Sequence, residues 1–487
     1  MTSVEPRACV ILGRSPLGWL EYESVVYGRA GVVLADGDGV LAHRRELERQ
    51  VQSGRRIYAV NTGYGSEASR EVPTEALKRV QLNTIRSHAI RVGEPVACDI
   101  VRGMLLIKAQ AYVQGPAAVR PVLVERLIWM LNSSIHPVVY SQGSQSASGD
   151  LIPNAQLALG LIGEGEVCVD GLVCRAVDVL PEPLELDLKE GVTLTNDVSL
   201  ATSIAFDIVR TSERLIERGE LIAAMTLQAM RGYPDAYDER LVATRPHPGA
   251  IASAGHMRAL LAGSELVRDS GRRHDPYSLR CLPQVHGAVR DALAYARSAV
   301  EIEIRSIGDN PLVFPEEHDV LSGGNFHGAP IGLAMDALAP AMTSLAALAQ
   351  RRIHHLVNPI FDVGLPRKLA TNPDEQLGLL LTNTAAASLV SECASLSMPA
   401  SVSSIGIDAM EDHVSMAAVA AQKLQRILVN VRRVLAIELL CAAQGLDFQR
   451  PGRASAPVES LHASVRKLIP FLGEDVPVSV SVLEELV

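Results

Sequence analysis

From about residue 191 onward, apolar residues return every three or four positions over long stretches, the spacing of one face of an α-helix. Three long helices are predicted: Pro283 to Arg305, Gly332 to His355, and Glu411 to Gln444. For the last, Asp408 with Glu411 three residues on resembles a capping box, and Gly445 suits the C-terminal cap. The stripes are wide and rich in Ala and Leu, which predicts burial against several neighbours rather than one. Before residue 190 the pattern is mixed: short β-branched runs at Cys9 to Leu12 and Gly31 to Leu34 read as strands among helical segments. No repeat or low-complexity segment interrupts the chain. Proline and glycine at 181 to 183 and 450 to 453 mark the expected linkers. The expected division is thus 1–190 mixed, 191–453 mainly helical, and 454–487 a short tail. The fold class this predicts is mainly α.

Composition narrows the function. At 487 residues the chain exceeds the usual single core, and 48% apolar residues suffice for a large one. A net charge of −10 argues against nucleic acid or an anionic membrane as partner. The seven cysteines have no CxxC pair, which reads as reduced thiols in a cytoplasmic protein. No secretory signal is evident, and no apolar run is expected to span a bilayer. The histidines His286, His318, His327, His354 and His355 lack ligand spacing on a predicted helix, so no metal is expected.

The most informative chemistry lies at 147 to 149, Ala-Ser-Gly, followed by Asp150. Small residues let the backbone fold back so that the Gly149 nitrogen reaches the Ala147 carbonyl carbon. Ring closure with loss of water, including the Ser148 hydroxyl, would leave a methylene conjugated to an imidazolone. That is an electrophile, which no unmodified side chain provides. Taken alone, such a tripeptide is an ordinary small-residue turn.

The surrounding blocks decide between these readings. They include Tyr-Ala-Val-Asn-Thr-Gly-Tyr-Gly (58 to 65), Ser-His-Ala (87 to 89) and Ala-Ser-Gly-Asp-Leu (147 to 151). Further on come Lys-Glu-Gly (189 to 191) with Asn196, Arg-Pro-His-Pro-Gly (245 to 249) and Asp-Pro-Tyr-Ser-Leu-Arg-Cys (275 to 281). The last are Asp-Asn-Pro-Leu-Val-Phe (309 to 314), Gly-Gly-Asn-Phe-His (323 to 327) and Glu-Asp-His-Val-Ser-Met (411 to 416). In this order the chain resembles the ammonia-lyases and aminomutases that carry a 4-methylideneimidazol-5-one (MIO) group, and most of all the histidine ammonia-lyases. The resemblance implies the long-helix bundle of the histidine and phenylalanine ammonia-lyases, with a smaller mixed N-terminal region. It also implies a homotetramer with shared active sites, and an MIO group made from Ala147, Ser148 and Gly149 with no external cofactor.

Removing ammonia from an amino acid needs a base for the weakly acidic β-proton and an electrophile for the amine. By resemblance the base is Tyr58; read alone, it is a partly buried tyrosine with one satisfied hydroxyl. A phenol is protonated at neutral pH, so its site must stabilise phenolate by donors or positive charge. Arg280, a turn past Tyr277, maps to the clamp on the substrate carboxylate, a role a guanidinium fork suits. Asn196 and Asn310 map to amides at the electrophile or the substrate's polar end, and Phe326 to the shielding aromatic. His88 falls at the selectivity position, where histidine accompanies histidine or tyrosine as substrate. Glu411 matches histidine lyases, where a carboxylate can pair with imidazole. Outside the resemblance each of these could be an ordinary turn, capping or core residue.

Departures gather near the expected site. Ala59 and Asp197 stand in place of glycines, Gln156 in place of histidine, His274 in place of glutamine, Met410 in place of a polar amide, and Ile90 with Arg91 in place of small residues. They put the substrate in question more than the reaction. The leading expectation is an ammonia-lyase acting on a small-molecule aromatic-type amino acid, histidine to urocanate first and tyrosine next. The alternatives are a 2,3-aminomutase forming a β-amino acid, and a catalytically silent homologue kept as a binding subunit.

Overall fold

The computed structural model describes residues 9–35, 37–267, 274–359, 363–403, 405–406 and 410–487. Its contacts form two compact units, both discontinuous in sequence, whereas the sequence reading divides the chain linearly. One holds the described residues through Asp207 with Arg297–Met335 and Pro399–Gln422; the other holds Ile208–Ala296, Asp336–Met398 and Lys423–Val487.

Helices dominate. In the first unit the β-branched runs form a parallel pair, Cys9–Leu12 beside Gly31–Leu34, in register Cys9 with Gly31. Ile135–Pro137, Glu166–Val169 and Leu172–Arg175 make a small antiparallel sheet, and Leu312–Phe314 pairs with Asp319–Leu321. At the centre of this unit the helix Cys98–Val113 is buried on every side from Ile100 on. A helix this enclosed can carry polar residues only if each finds a partner. Arg102 donates to the carbonyls of Val25 and Leu131, at 2.7 and 2.6 Å, and Lys108 ends beside Asp197 at 2.7 Å. Gly103 permits the close approach of this helix, because a Cβ there would lie 2.1 Å from the Tyr22 Oη and Ser203 Oγ atoms.

The expected long helices are present at Leu282–Glu303 and Ala329–Val357, joined by Ser199–Ala229 and Ala417–Asp447. The last begins later than its periodicity suggests. Val414 and Ser415 are buried ahead of the helix, outside any helix or strand, where Ser415 Oγ and N reach the Ser146 carbonyl at 2.9 and 3.4 Å. Its other end also differs: Gly445 lies inside the helix, close against Ala229 and Leu356, so it serves packing rather than capping. Asp408 lies outside the described residues. The stretch 454–487 carries a helix, Ala456–Leu468, and Arg450 is tied to Glu459 at 2.7 Å.

One expectation about apolar runs is corrected. Ala329–Val357 is long and apolar enough to cross a bilayer, with mean hydropathy 1.5 over its best window. Just over half of that window, 56%, is buried within the structure. Further along the helix, Arg352 is fully buried in a two-pronged pair with Glu438 at 2.6 and 2.8 Å. Burial of this kind fits a core helix.

Candidate active site

The loop ahead of helix Leu151–Ile162 carries the tripeptide. Ala147 and Gly149 pair with each other as an isolated antiparallel bridge, so the chain folds back across Ser148. Gly149 is left-handed, at φ +88, and a Cβ there would lie 2.1 Å from the Asp197 carbonyl oxygen. Only glycine fits both demands. Asp150 anchors the turn: its N–H donates to the Asp197 carbonyl at 2.6 Å. Its carboxyl accepts from Ser144 and Ser146 hydroxyls at 3.0 and 2.7 Å, and from the Ala201 N–H at 2.8 Å. Burial outweighs these donors and pushes the Asp150 carboxyl up to about 6.

Ser148 opens onto a cavity of about 420 Å³, lined also by Tyr58, His88, Asn196, Asn310, Phe326, Met410 and Glu411. Residues separated by hundreds of positions thus converge in one unit. Ser148 Oγ donates to Glu411 Oε1 at 2.8 Å. Tyr58 Oη accepts the Gly65 N–H at 3.2 Å, the kind of donor a phenolate needs. His88 Nδ1 faces the Thr84 carbonyl at 2.7 Å; a carbonyl only accepts, so Nδ1 carries the proton and a neutral ring keeps Nε2 as acceptor. Asn196 Nδ2 donates to Asp309 Oδ1 at 3.0 Å and to the Asn310 carbonyl at 3.1 Å. Asp309 is itself paired with buried Lys189.

Sequence reasoning passed over Tyr64, although it lies in the same block as Tyr58. It lines the cavity, with Oη 3.0 Å from Thr84 Oγ1 and 3.3 Å from Gln81 Nε2. Burial raises its pKa above the ordinary phenol value, partly offset by those two bonds, so Tyr64 stays protonated. Lys108 and Asn154 were also missed; a lone lysine in an apolar helix was the available signal.

Tyr277 and Arg280 do not line this cavity; they form a short helix in the other compact unit. Tyr277 is 68% exposed, the Arg280 guanidinium sits 4.6 Å from its ring centroid, and Arg280 Nε is buried without a hydrogen-bond partner. Among the described residues no three His, Cys, Asp or Glu side chains gather as metal ligands. His327 and His413 face one another at 3.1 Å as a pair.

The departures take distinct places. Ala59 and Asp197 both hold left-handed backbone, at φ +58 and +81, where glycine is the easy occupant. Gln156 ties two loops, accepting from the Tyr140 N–H at 2.7 Å and donating to the Ile90 carbonyl. Arg91 pairs with Glu166 at 2.6 Å, His274 is exposed, and Met410 lines the cavity while 67% exposed.

Residues 21–467 match the family described as aromatic amino acid lyase. A histidine ammonia-lyase of Geobacillus thermodenitrificans is 42% identical over 475 residues, covering 96% of this chain and 94% of that one. The crystal structure of histidine ammonia-lyase from Trypanosoma cruzi superposes with TM-score 0.89 at 32% identity, covering 98% of this chain and 93% of that one. Tyrosine aminomutase from Streptomyces globisporus superposes with TM-score 0.91 at 32% identity, covering 98% and 96%. The fold is that of the histidine and phenylalanine ammonia-lyases, and with it comes a class of enzyme, the carbon–nitrogen lyases that release ammonia. The chain belongs to the aromatic amino acid lyase family.

Proposed function

We propose that this enzyme eliminates ammonia from L-histidine to give urocanate, using an MIO group formed from Ala147, Ser148 and Gly149. The observation that carries the reading is the convergence on one cavity of a folded-back Ala-Ser-Gly turn, Tyr58 with a backbone donor, and the polar pair His88 and Glu411. The turn suits the group: Gly149 occupies a space that any Cβ would close. When formed, the ring would supply the electrophile to which the substrate amine bonds.

The chain's own residues do the rest. Tyr58 Oη takes the β-proton, with the Gly65 N–H stabilising the resulting charge. His88 Nε2 accepts an imidazole N–H, and the Glu411 carboxylate supplies a second acceptor within the same cavity. A benzene ring would offer neither acceptor an N–H donor. Asn196, fixed by Asp309, presents its amide at the polar end, and Phe326 shields the cavity.

The substrate carboxylate needs a cation, and among the described residues no Arg or Lys lines the cavity. We assign that role to Arg280 with Tyr277 of a second copy of the chain, in a homotetramer with shared sites. We place the enzyme in the cytoplasm, in keeping with its seven free cysteines. Tyrosine is the second substrate, and likeness to a tyrosine aminomutase keeps 2,3-amino transfer as the second reading. One assay separates them: histidine, tyrosine and phenylalanine are followed by acrylate absorbance, with products analysed for β-amino acids. Histidine is expected to be turned over to urocanate; β-amino acid as the main product would replace the lyase reading.

A further inference from the structure

Asp197 takes no part in the chemistry above, yet it is the most heavily bound departure near the tripeptide. Its backbone is left-handed at φ +81, which an aspartate adopts at a cost that glycine avoids. Room for its side chain comes from Gly308, where a Cβ would meet the Asp197 Cβ at 2.9 Å. The carboxylate is then saturated: Oδ2 pairs with Lys108 Nζ at 2.7 Å, and Oδ1 accepts from Asn154 Nδ2 at 3.1 Å and the Ser199 N–H at 2.8 Å. The same two side chains also hold the adjoining main chain. Lys108 Nζ reaches the Asn196 carbonyl at 3.1 Å, and Asn154 Nδ2 reaches the carbonyls of Asn196 and Asp197 at 2.9 and 3.1 Å. This clamped main chain is the wall against which Gly149 rests.

We infer that Lys108 and Asp197 form a positioning pair that immobilises this wall and so sets the rate at which the tripeptide closes. The inference rests on the MIO reading. Closure joins the Gly149 nitrogen to the Ala147 carbonyl carbon. The carbonyl oxygen leaves as water with the hydrogens of the Gly149 and Ser148 nitrogens, leaving a double bond from Ala147 C to Ser148 N. The Ser148 hydroxyl leaves with its α-hydrogen as the second water, giving the methylene. No oxidant is consumed. The first bond forms only while nitrogen and carbonyl carbon are held in near-attack geometry, and a yielding wall releases them. Lys108 and Asp197 line no part of the cavity, and the Asn196 side chain is held separately by Asp309 and the Asn310 carbonyl, so the pair's effect is expected on closure rather than on turnover.

The test follows intact mass during cell-free synthesis of the full chain, scoring the fraction lacking two waters against time. Wild type is compared with Asp197→Asn, which loses the charge but tolerates the left-handed backbone, and with the double variant Lys108→Met/Asp197→Gly, which removes the pair together. Closure should slow by about ten- to a hundredfold in the double variant and by less in Asp197→Asn, while kcat per matured subunit stays within about twofold of wild type. Equal closure rates in wild type and the double variant would overturn the inference alone. If the double variant does not fold, Asp197→Asn carries the test, and a wild-type rate there overturns it. Wild type that never loses two waters overturns the underlying MIO reading as well.

Discussion

Tyr58 and Tyr64 stand in one block and one cavity, and their surroundings divide the labour between them. Tyr58 receives a backbone N–H, whereas burial holds Tyr64 in its neutral form. Tyr58→Phe should therefore lower kcat by about 10²–10⁴-fold with little change in KM, because it removes a proton acceptor and keeps the ring. Near-normal turnover in that variant would move the base elsewhere. His88→Phe should shift preference from histidine toward phenylalanine, read as a ratio of kcat/KM values; an unchanged ratio would remove His88 from the side-chain pocket. A third residue tests electrostatics. Burial first, and then Asp197 and Asp150, push the Glu303 carboxyl up to about 7, and burial pushes Asp150 to about 6. Both groups hold protons in the folded state at pH values where the unfolded chain has lost them. Their contribution to stability therefore falls as pH rises from the ordinary carboxyl range toward about 7. Glu303→Gln should raise Tm near about pH 8 and change it little near about pH 5. An equal effect at both would contradict the charge argument.

At the scale of elements, the sequence was informative where local pattern decides. The parallel strands Cys9–Leu12 and Gly31–Leu34 follow from β-branched runs, and the helices Leu282–Glu303 and Ala329–Val357 from apolar spacing. The start of Ala417–Asp447 was misplaced because Val414 is buried in a non-helical segment whose next residue, Ser415, bonds the tripeptide loop. Motif blocks named many of the residues that line the candidate cavity, but they are silent on partners. The bonds from Ser148 to Glu411, Lys108 to Asp197 and Asn196 to Asp309 join residues far apart in sequence, which periodicity does not encode. Ala59 and Asp197 both occupy left-handed backbone, a property visible only in the dihedral angles, and Asp197 is supported there by Lys108 and Asn154. Gly103→Ala tests the packing of the central helix. The added methyl would meet the Tyr22 and Ser203 hydroxyls, and overpacking of this kind costs about 1–3 kcal/mol, read from the denaturation midpoint.

For the whole molecule, the cavity is lined by Tyr58, polar acceptors and the tripeptide, and none of its described lining residues is an Arg or Lys that could meet the substrate carboxylate. A shared site predicts complementation. Tyr58→Phe and Arg280→Met subunits, each inactive alone, should regain part of their activity when co-expressed, because a mixed assembly pairs an intact Tyr58 with an intact Arg280 from another copy. The central claim is nonetheless covalent, and peptide mass analysis of the purified, active enzyme tests it most directly. The peptide spanning Ala147 to Gly149 should weigh two waters less than its sequence, and Ser148→Ala should abolish both formation of the methylene and turnover. An unmodified tripeptide in enzyme that turns over its substrate would contradict the account.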